Sequence, residues 1–185
     1  MVCSNQELET RGRWVRALAL AGVLAAVLAP ARPYAFWNVA IGDRLRDRDM
    51  PALDGGRQPL LGRARATVFV LFRPGHDLSL QTLSDLARLQ TTCHGDVRFV
   101  AVTSGSYAPA AIRDTMRKSG LRATVLLDSR DALAGELGTD VRPAVAVVDE
   151  THRLVAYQPY LSVNLHDALW AELRSVLEPG ALEQR

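Results

Sequence analysis

The apolar positions of this chain fall into blocks with two different spacings. ATVFVLF, Ala66–Phe72, is apolar at nearly every position, which predicts a strand buried on both faces. Leu80, Leu83, Leu86 and Ala87 then follow helical spacing, with Asp77 or Ser79 as N-cap. VRFVAVT, Val97–Thr103, predicts a second strand, and Ser106–Ser119 a helix closed by Gly120. Thr124–Leu127 predicts a third strand, ended by Asp128, and Ser129–Leu137 a short helix stopped by Gly138. Pro143–Asp149 reads as a strand that turns at His152-Arg153 into Leu154–Tyr157. Leu165–Leu177 is amphipathic, with Leu165, Leu169, Leu173 and Val176 or Leu177 inward. Upstream, MPALDGGRQPLL places two short apolar pieces around Asp54-Gly55-Gly56, a hairpin signal. Strands alternate with helices until a last hairpin and helix. That order implies an α/β sandwich: a mixed central sheet flanked by helices, preceded by an N-terminal β-hairpin.

The N-terminus follows another pattern. Arg11, Arg13 and Arg16 precede ALALAGVLAAVLA, residues 17–29, and Ala29-Pro30-Ala31 offers a small-residue cleavage site. At about 1.5 Å per residue the apolar run reaches about 20 Å as a helix, short of a hydrocarbon core of about 30 Å. A signal peptide fits. An uncleaved anchor remains the alternative, because the preceding segment is long and holds Glu7 and Glu9. Either way the body of the protein is expected outside the cytoplasm. The expected organisation is a signal peptide or anchor at 1–31, a linker at 32–49, one domain at 50–178 and a tail at 179–185. Within the linker, Phe36 and Trp37 are candidates for packing on the domain or on a partner.

Composition adds exclusions. With 185 residues, 48% hydrophobic and 23% charged, the chain is ordinary globular material. A formal net charge of +2 with scattered arginines argues against a nucleic-acid surface. The two cysteines are Cys3 and Cys93. Cleavage removes Cys3, and an anchor keeps it across the membrane, so the exported domain owns one thiol. An internal dithiol relay is excluded on that arithmetic.

Order and local sequence together resemble the thioredoxin-fold redoxins: the TlpA-like thiol–disulfide proteins and the peroxiredoxin (alkyl hydroperoxide reductase/thiol-specific antioxidant) branch. VAIGDRLRDRDMPALDGGRQPLL is similar to the opening hairpin, VFVLFRPG to the central strand and active-site loop, and LLDSRDALAGELGTDVRPAVAVVDETHRLV to the second half. The likeness spans Val39 to Leu177. It implies a thioredoxin-like three-layer sandwich and an exported protein of the bacterial periplasm or cell envelope. It breaks at the chemistry. The two cysteine positions of the thioredoxin-like branch fall on Asp77 and Leu80. The loop matches the peroxiredoxin branch at Phe72-Arg73-Pro74, yet its peroxidatic cysteine falls on Gln81 and its threonine on Leu78.

In this family a helix N-terminus stabilises a thiolate. The same amides suit any anion, so Asp77 fits there as a helix cap, or as a group that binds a cation or orients His76. His76 is either an exposed loop residue or a neutral imidazole held by the helix dipole. One His and one Asp do not make a metal site, and the sequence calls for no metal or cofactor. The resemblance implies that Pro143 is cis and faces the loop, bringing Arg142 beside His76 and Asp77 with Arg73. The expected binding cleft is therefore Arg73, Pro74, Gly75, His76, Asp77, Arg142 and Pro143, suited to a peptide, a protein partner or a small anionic ligand. The alternative is an inherited surface with no ligand. Cys93, in TTCHGD, is a packing residue at a helix end or else a lone nucleophile, mixed-disulfide site or dimer link.

Two functions follow. One is a redoxin-type protein without dithiol catalysis that acts as a binding or scaffold module. The other is a thiol-dependent oxidoreductase using Cys93 with an external thiol. A metal carrier through His76 is a third, weaker reading. Membrane contact is expected only through the N-terminal segment, and the peroxiredoxin likeness leaves a homodimer open.

Overall fold

The computed structural model describes residues 36–93, 96–158 and 165–177. The segment expected as signal or anchor, Cys3, His94, the tail at 179–185 and the side chain of Leu165 lie outside the described residues. Among the described residues, no helix is long and apolar enough to cross a membrane.

The elements are β1 (Asp49–Pro51), β2 (Arg57–Pro59), β3 (Ala66–Leu71), α1 (Asp77–Thr92), β4 (Val97–Ser104), α2 (Pro109–Ser119) and β5 (Thr124–Asp128). A 3-10 turn (Ser129–Asp131), α3 (Ala132–Leu137), β6 (Ala144–Asp149), β7 (Leu154–Gln158) and α4 (Leu165–Leu177) complete them. The main sheet has the order β5-β4-β3-β6-β7. β3, β4 and β5 are parallel, and β6 and β7 are added antiparallel. All six residues of β3 are buried, because this central strand is covered on both faces.

Alternation along β3 divides the core in two. Val68, Val70 and Phe72 meet Leu83, Leu86 and Leu89 of α1, Ile112 of α2, and Leu169 and Leu173 of α4. Phe69 and Leu71 point to the other layer, with Leu133 and Leu137 of α3 and Leu60 and Leu61 after β2. Full burial of a side chain such as Phe69 contributes roughly 2–3 kcal/mol. The hairpin β1–β2 is antiparallel. It docks through Leu53, whose N–H donates to the Val125 carbonyl at 2.9 Å and so covers an edge of the main sheet.

Three expectations change. Residues 36–49 are not a linker. The N–H groups of Gly42 and Leu45 donate to the carbonyls of Leu154 and His152, and that of Leu154 to the carbonyl of Asp43, so the segment runs along β7. Phe36 and Leu45 are buried, and the Phe36 ring lies 4.1 Å from that of Tyr157. Trp37, by contrast, is 83% exposed. The buried apolar residues Phe36, Ala40 and Leu45, spread among charges, have no period to reveal them.

Next, α2 begins at Pro109 rather than Ser106. Proline suits the first helical turn, since its missing N–H would have no intrahelical partner there. The Ser104 and Ser106 hydroxyls pair at 3.1 Å and keep the preceding residues in a turn. Gly120 does cap α2, with φ +73°. Finally, Ser129–Leu137 is not one helix. Arg130 and Asp131, the last two residues of the 3-10 turn, are both left-handed, at φ 58° and 52°, so the turn does not run on into α3.

Candidate functional site

Parallel strands present their C-terminal ends on one side of a sheet, where ligands of open α/β sheets bind. Here β3 leads to Arg73, β4 ends at Ser104 and β5 ends at Asp128. β6 starts at the same end, directly after Arg142 and Pro143, whose peptide bond is cis.

The loop after β3 is clasped from two helices. Ser79 in the first turn of α1 is fully buried, and its Oγ accepts the Arg73 N–H at 3.1 Å. Thr115 of α2 accepts the Gly75 N–H at 3.2 Å and donates to the Ala111 carbonyl at 3.0 Å. Gly75 has φ +74°, a conformation glycine adopts without steric cost. The N-cap of α1 is His76, with no side-chain cap bond, so neither Asp77 nor Ser79 is the cap. Asp77 is the first helical residue, and Ser79 turns back to the loop. Asp77 still lies in the first turn, where the helix dipole favours its charge. His76 and Asp77 are exposed.

Asp128 builds the opposite wall. It is buried, and its two carboxylate oxygens accept the N–H groups of Leu133 and Ala134 at 2.9 and 3.1 Å. These are amides of the first turn of α3, which have no carbonyl partner within the helix. The left-handed pair Arg130-Asp131 then turns the chain, and Asp131 meets Arg142 Nη2 at 3.3 Å. The Arg142 side chain is only 9% exposed.

Between these walls lies a cleft of about 430 Å³. Of the expected cleft residues, the structure brings Arg73 and Arg142 together in its lining. Pro74, Gly75, His76, Asp77 and Pro143 are not in the lining; Pro143 is buried, and the other four belong to the clasped loop and helix start. The sequence reading missed Ser104, Ser106, Tyr107, Asp131, Thr139 and Asp140, which line the cleft. For Ser104, Ser106, Tyr107 and Asp131 the signal was position, at or just beyond the ends of β4 and β5; Thr139 and Asp140 lie between α3 and β6. Two guanidinium groups, two carboxylates and several hydroxyls make the cleft polar and close to charge-balanced.

Cys93 is elsewhere. It is the C-cap residue of α1, half-buried, with its N–H on the Leu89 carbonyl at 3.2 Å. Burial pushes its thiol pKa up, and a hydrogen bond with Thr92 offsets part of that.

Solved structures were compared with this architecture. A secreted Mycobacterium tuberculosis disulfide oxidoreductase homologous to Escherichia coli DsbE superposes with a TM-score of 0.59 at 15% identity, over 69% of this chain and 95% of that one. StoA from Bacillus subtilis gives 0.57 at 13%, over 69% and 96%. A hypothetical protein from Sinorhizobium meliloti gives 0.65 at 18%, over 76% and 86%. The chain has the thioredoxin fold. No family model matches the sequence, and no curated protein matches it.

Within this fold, β3, the Arg73–His76 loop and the start of α1 lie at the C-terminal end of the parallel strands. The two positions where the resemblance expects cysteines hold Asp77, exposed in the first turn of α1, and Leu80. A carboxylate can share the electrostatic benefit of a helix start but cannot exchange electrons as a thiolate does.

Proposed function

We propose that this chain is a redoxin-type protein of the bacterial cell envelope that lacks dithiol catalysis and binds a peptide or a small anion in the Arg73/Arg142 cleft. One observation carries the reading. The helix start holds Asp77, whereas Cys93 sits at the far end of the same helix. A disulfide needs two Cα atoms within about 7 Å, and no second described cysteine accompanies Cys93. What remains at the functional end is hydrogen-bonding and charge chemistry. Backbone at the Arg142-Pro143 corner and side chains of both signs suit an extended or charged ligand. The export pattern at residues 11–31 and the secreted M. tuberculosis neighbour support the envelope setting.

The rival is a thiol oxidoreductase that uses Cys93 with an external thiol. A half-buried thiol with a raised pKa supplies little thiolate near neutrality, which weighs against it. The test of the binding reading is an equilibrium binding screen of the full chain against a peptide array and small carboxylates, with Arg142→Glu beside it. Saturable binding lost in the variant is expected. Absence of binding to every probe, or binding indifferent to Arg142→Glu, overturns the assignment of the cleft.

A further inference from the structure

Arg142 is placed unusually for a cation. Its side chain is nine-tenths buried and lines the cleft, yet its hydrogen bonding among the described residues is a single 3.3 Å contact to Asp131. A guanidinium carries five N–H donors in a planar fork that matches a carboxylate at two points. One long bond leaves most of that capacity unused. Asp131, in contrast, is 56% exposed, so water competes for its carboxylate while Arg142 stays recessed. The cleft thus already shows how a carboxylate meets Arg142, and the group in that place comes from a neighbouring turn. Arg73 lines the same cleft from the exposed side.

We propose that the cleft recognises a carboxylate, which takes the Arg142 guanidinium in place of Asp131, with Arg73 as a second cation at the mouth. Asp131 then acts as a built-in competitor that occupies the arginine when the ligand is away. The inference rests on the binding reading of this cleft and specifies its ligand chemistry. The carboxylate comes either from an acidic side chain of a peptide or from a free small acid.

The experiment is isothermal titration calorimetry on the full chain. Its probes are a short capped peptide with one internal glutamate, the same peptide with glutamine, and succinate. Wild type is compared with Asp131→Asn and Arg142→Gln. Asparagine accepts the left-handed conformation of residue 131, so Asp131→Asn keeps the test usable if Arg142→Gln fails to fold. Loss of a half-exposed competitor is expected to tighten carboxylate binding roughly threefold. Loss of the guanidinium is expected to weaken it at least tenfold or so. The glutamate peptide or succinate, whichever follows this pattern, identifies the source. If the glutamine peptide binds as tightly as the glutamate peptide and succinate does not bind, the carboxylate inference fails and the binding reading stands. If Asp131→Asn leaves carboxylate binding unchanged or weaker, the competitor role fails. If no probe binds any of the three proteins, both the inference and the binding reading fail.

Discussion

Asp77 and Cys93 stand at opposite ends of one helix. Asp77 is the first residue of α1 and Cys93 its C-cap. The helix has 16 residues, so it separates them by about 24 Å at about 1.5 Å per residue. The carboxylate occupies the electropositive end, and the thiol is at the end whose dipole disfavours a thiolate.

Cys93 should therefore be a sluggish nucleophile. Burial holds its thiol pKa above the ordinary 9.0. In a Cys3→Ser chain, where Cys93 is the single thiol, iodoacetamide alkylation should be slow at neutral pH and still rising above pH 9.0. The same shift has a stability sign. A raised pKa means the folded state disfavours the thiolate, so this contribution is fully present below the unfolded value. It is lost as pH rises through the folded one. An alkylation midpoint near neutrality would mark Cys93 as activated.

The cap on α3 should be a sensitive point of the cleft. Asp128→Ala strands the Leu133 and Ala134 N–H groups in a buried place, and should cost about 3 kcal/mol in urea unfolding. Asp128→Asn keeps one acceptor oxygen and should cost less. Equal stability of Asp128→Ala and wild type would remove the capping role.

Two glycine substitutions separate backbone strain from contact. Gly120→Ala meets nothing within 4 Å and should cost only the left-handed penalty, about 1 kcal/mol. Gly138→Ala carries a similar φ and also places its Cβ 2.8 Å from Asn38 Cγ and 2.9 Å from Trp37 Cβ. It should be the more destabilising by at least about 1 kcal/mol, in line with overpacking. Equal costs in urea unfolding would mean that residues 37–38 do not pack against Gly138.

The fold was legible because its signals are redundant. β3 announced itself by a continuous apolar run, Gly120 and Gly138 by their place after helical patterns, and the order of elements by turn residues. The segment at 36–49 was not, since its backbone partners, His152 and Leu154, are remote in sequence. The Arg130-Asp131 turn was hidden too. Neither residue is glycine, and they lie between Asp128 and the α3 amides it caps, a bond remote from any local pattern. That turn carries Asp131, a carboxylate the sequence did not single out, to Arg142. Arg73 and Arg142 were legible as cleft residues through the resemblance, which sets the residue before Pro143 opposite the loop after β3. The hydroxyls of Ser104, Ser106 and Tyr107 carried no pattern of their own.

The loop after β3 should depend on α2. Thr115→Val removes the acceptor for the Gly75 N–H and should cost about 1 kcal/mol. Hydrogen exchange at Gly75 should speed up while β3 amides stay protected. Unchanged exchange at Gly75 would show that the loop holds itself.

The most direct measurement is insulin reduction by dithiothreitol in the presence of the full chain or its Cys93→Ser variant. Both proteins should leave the rate at the uncatalysed background. Turnover by the wild-type chain that disappears in Cys93→Ser would contradict the account, because electrons would then be passing through the thiol at the wrong end of α1.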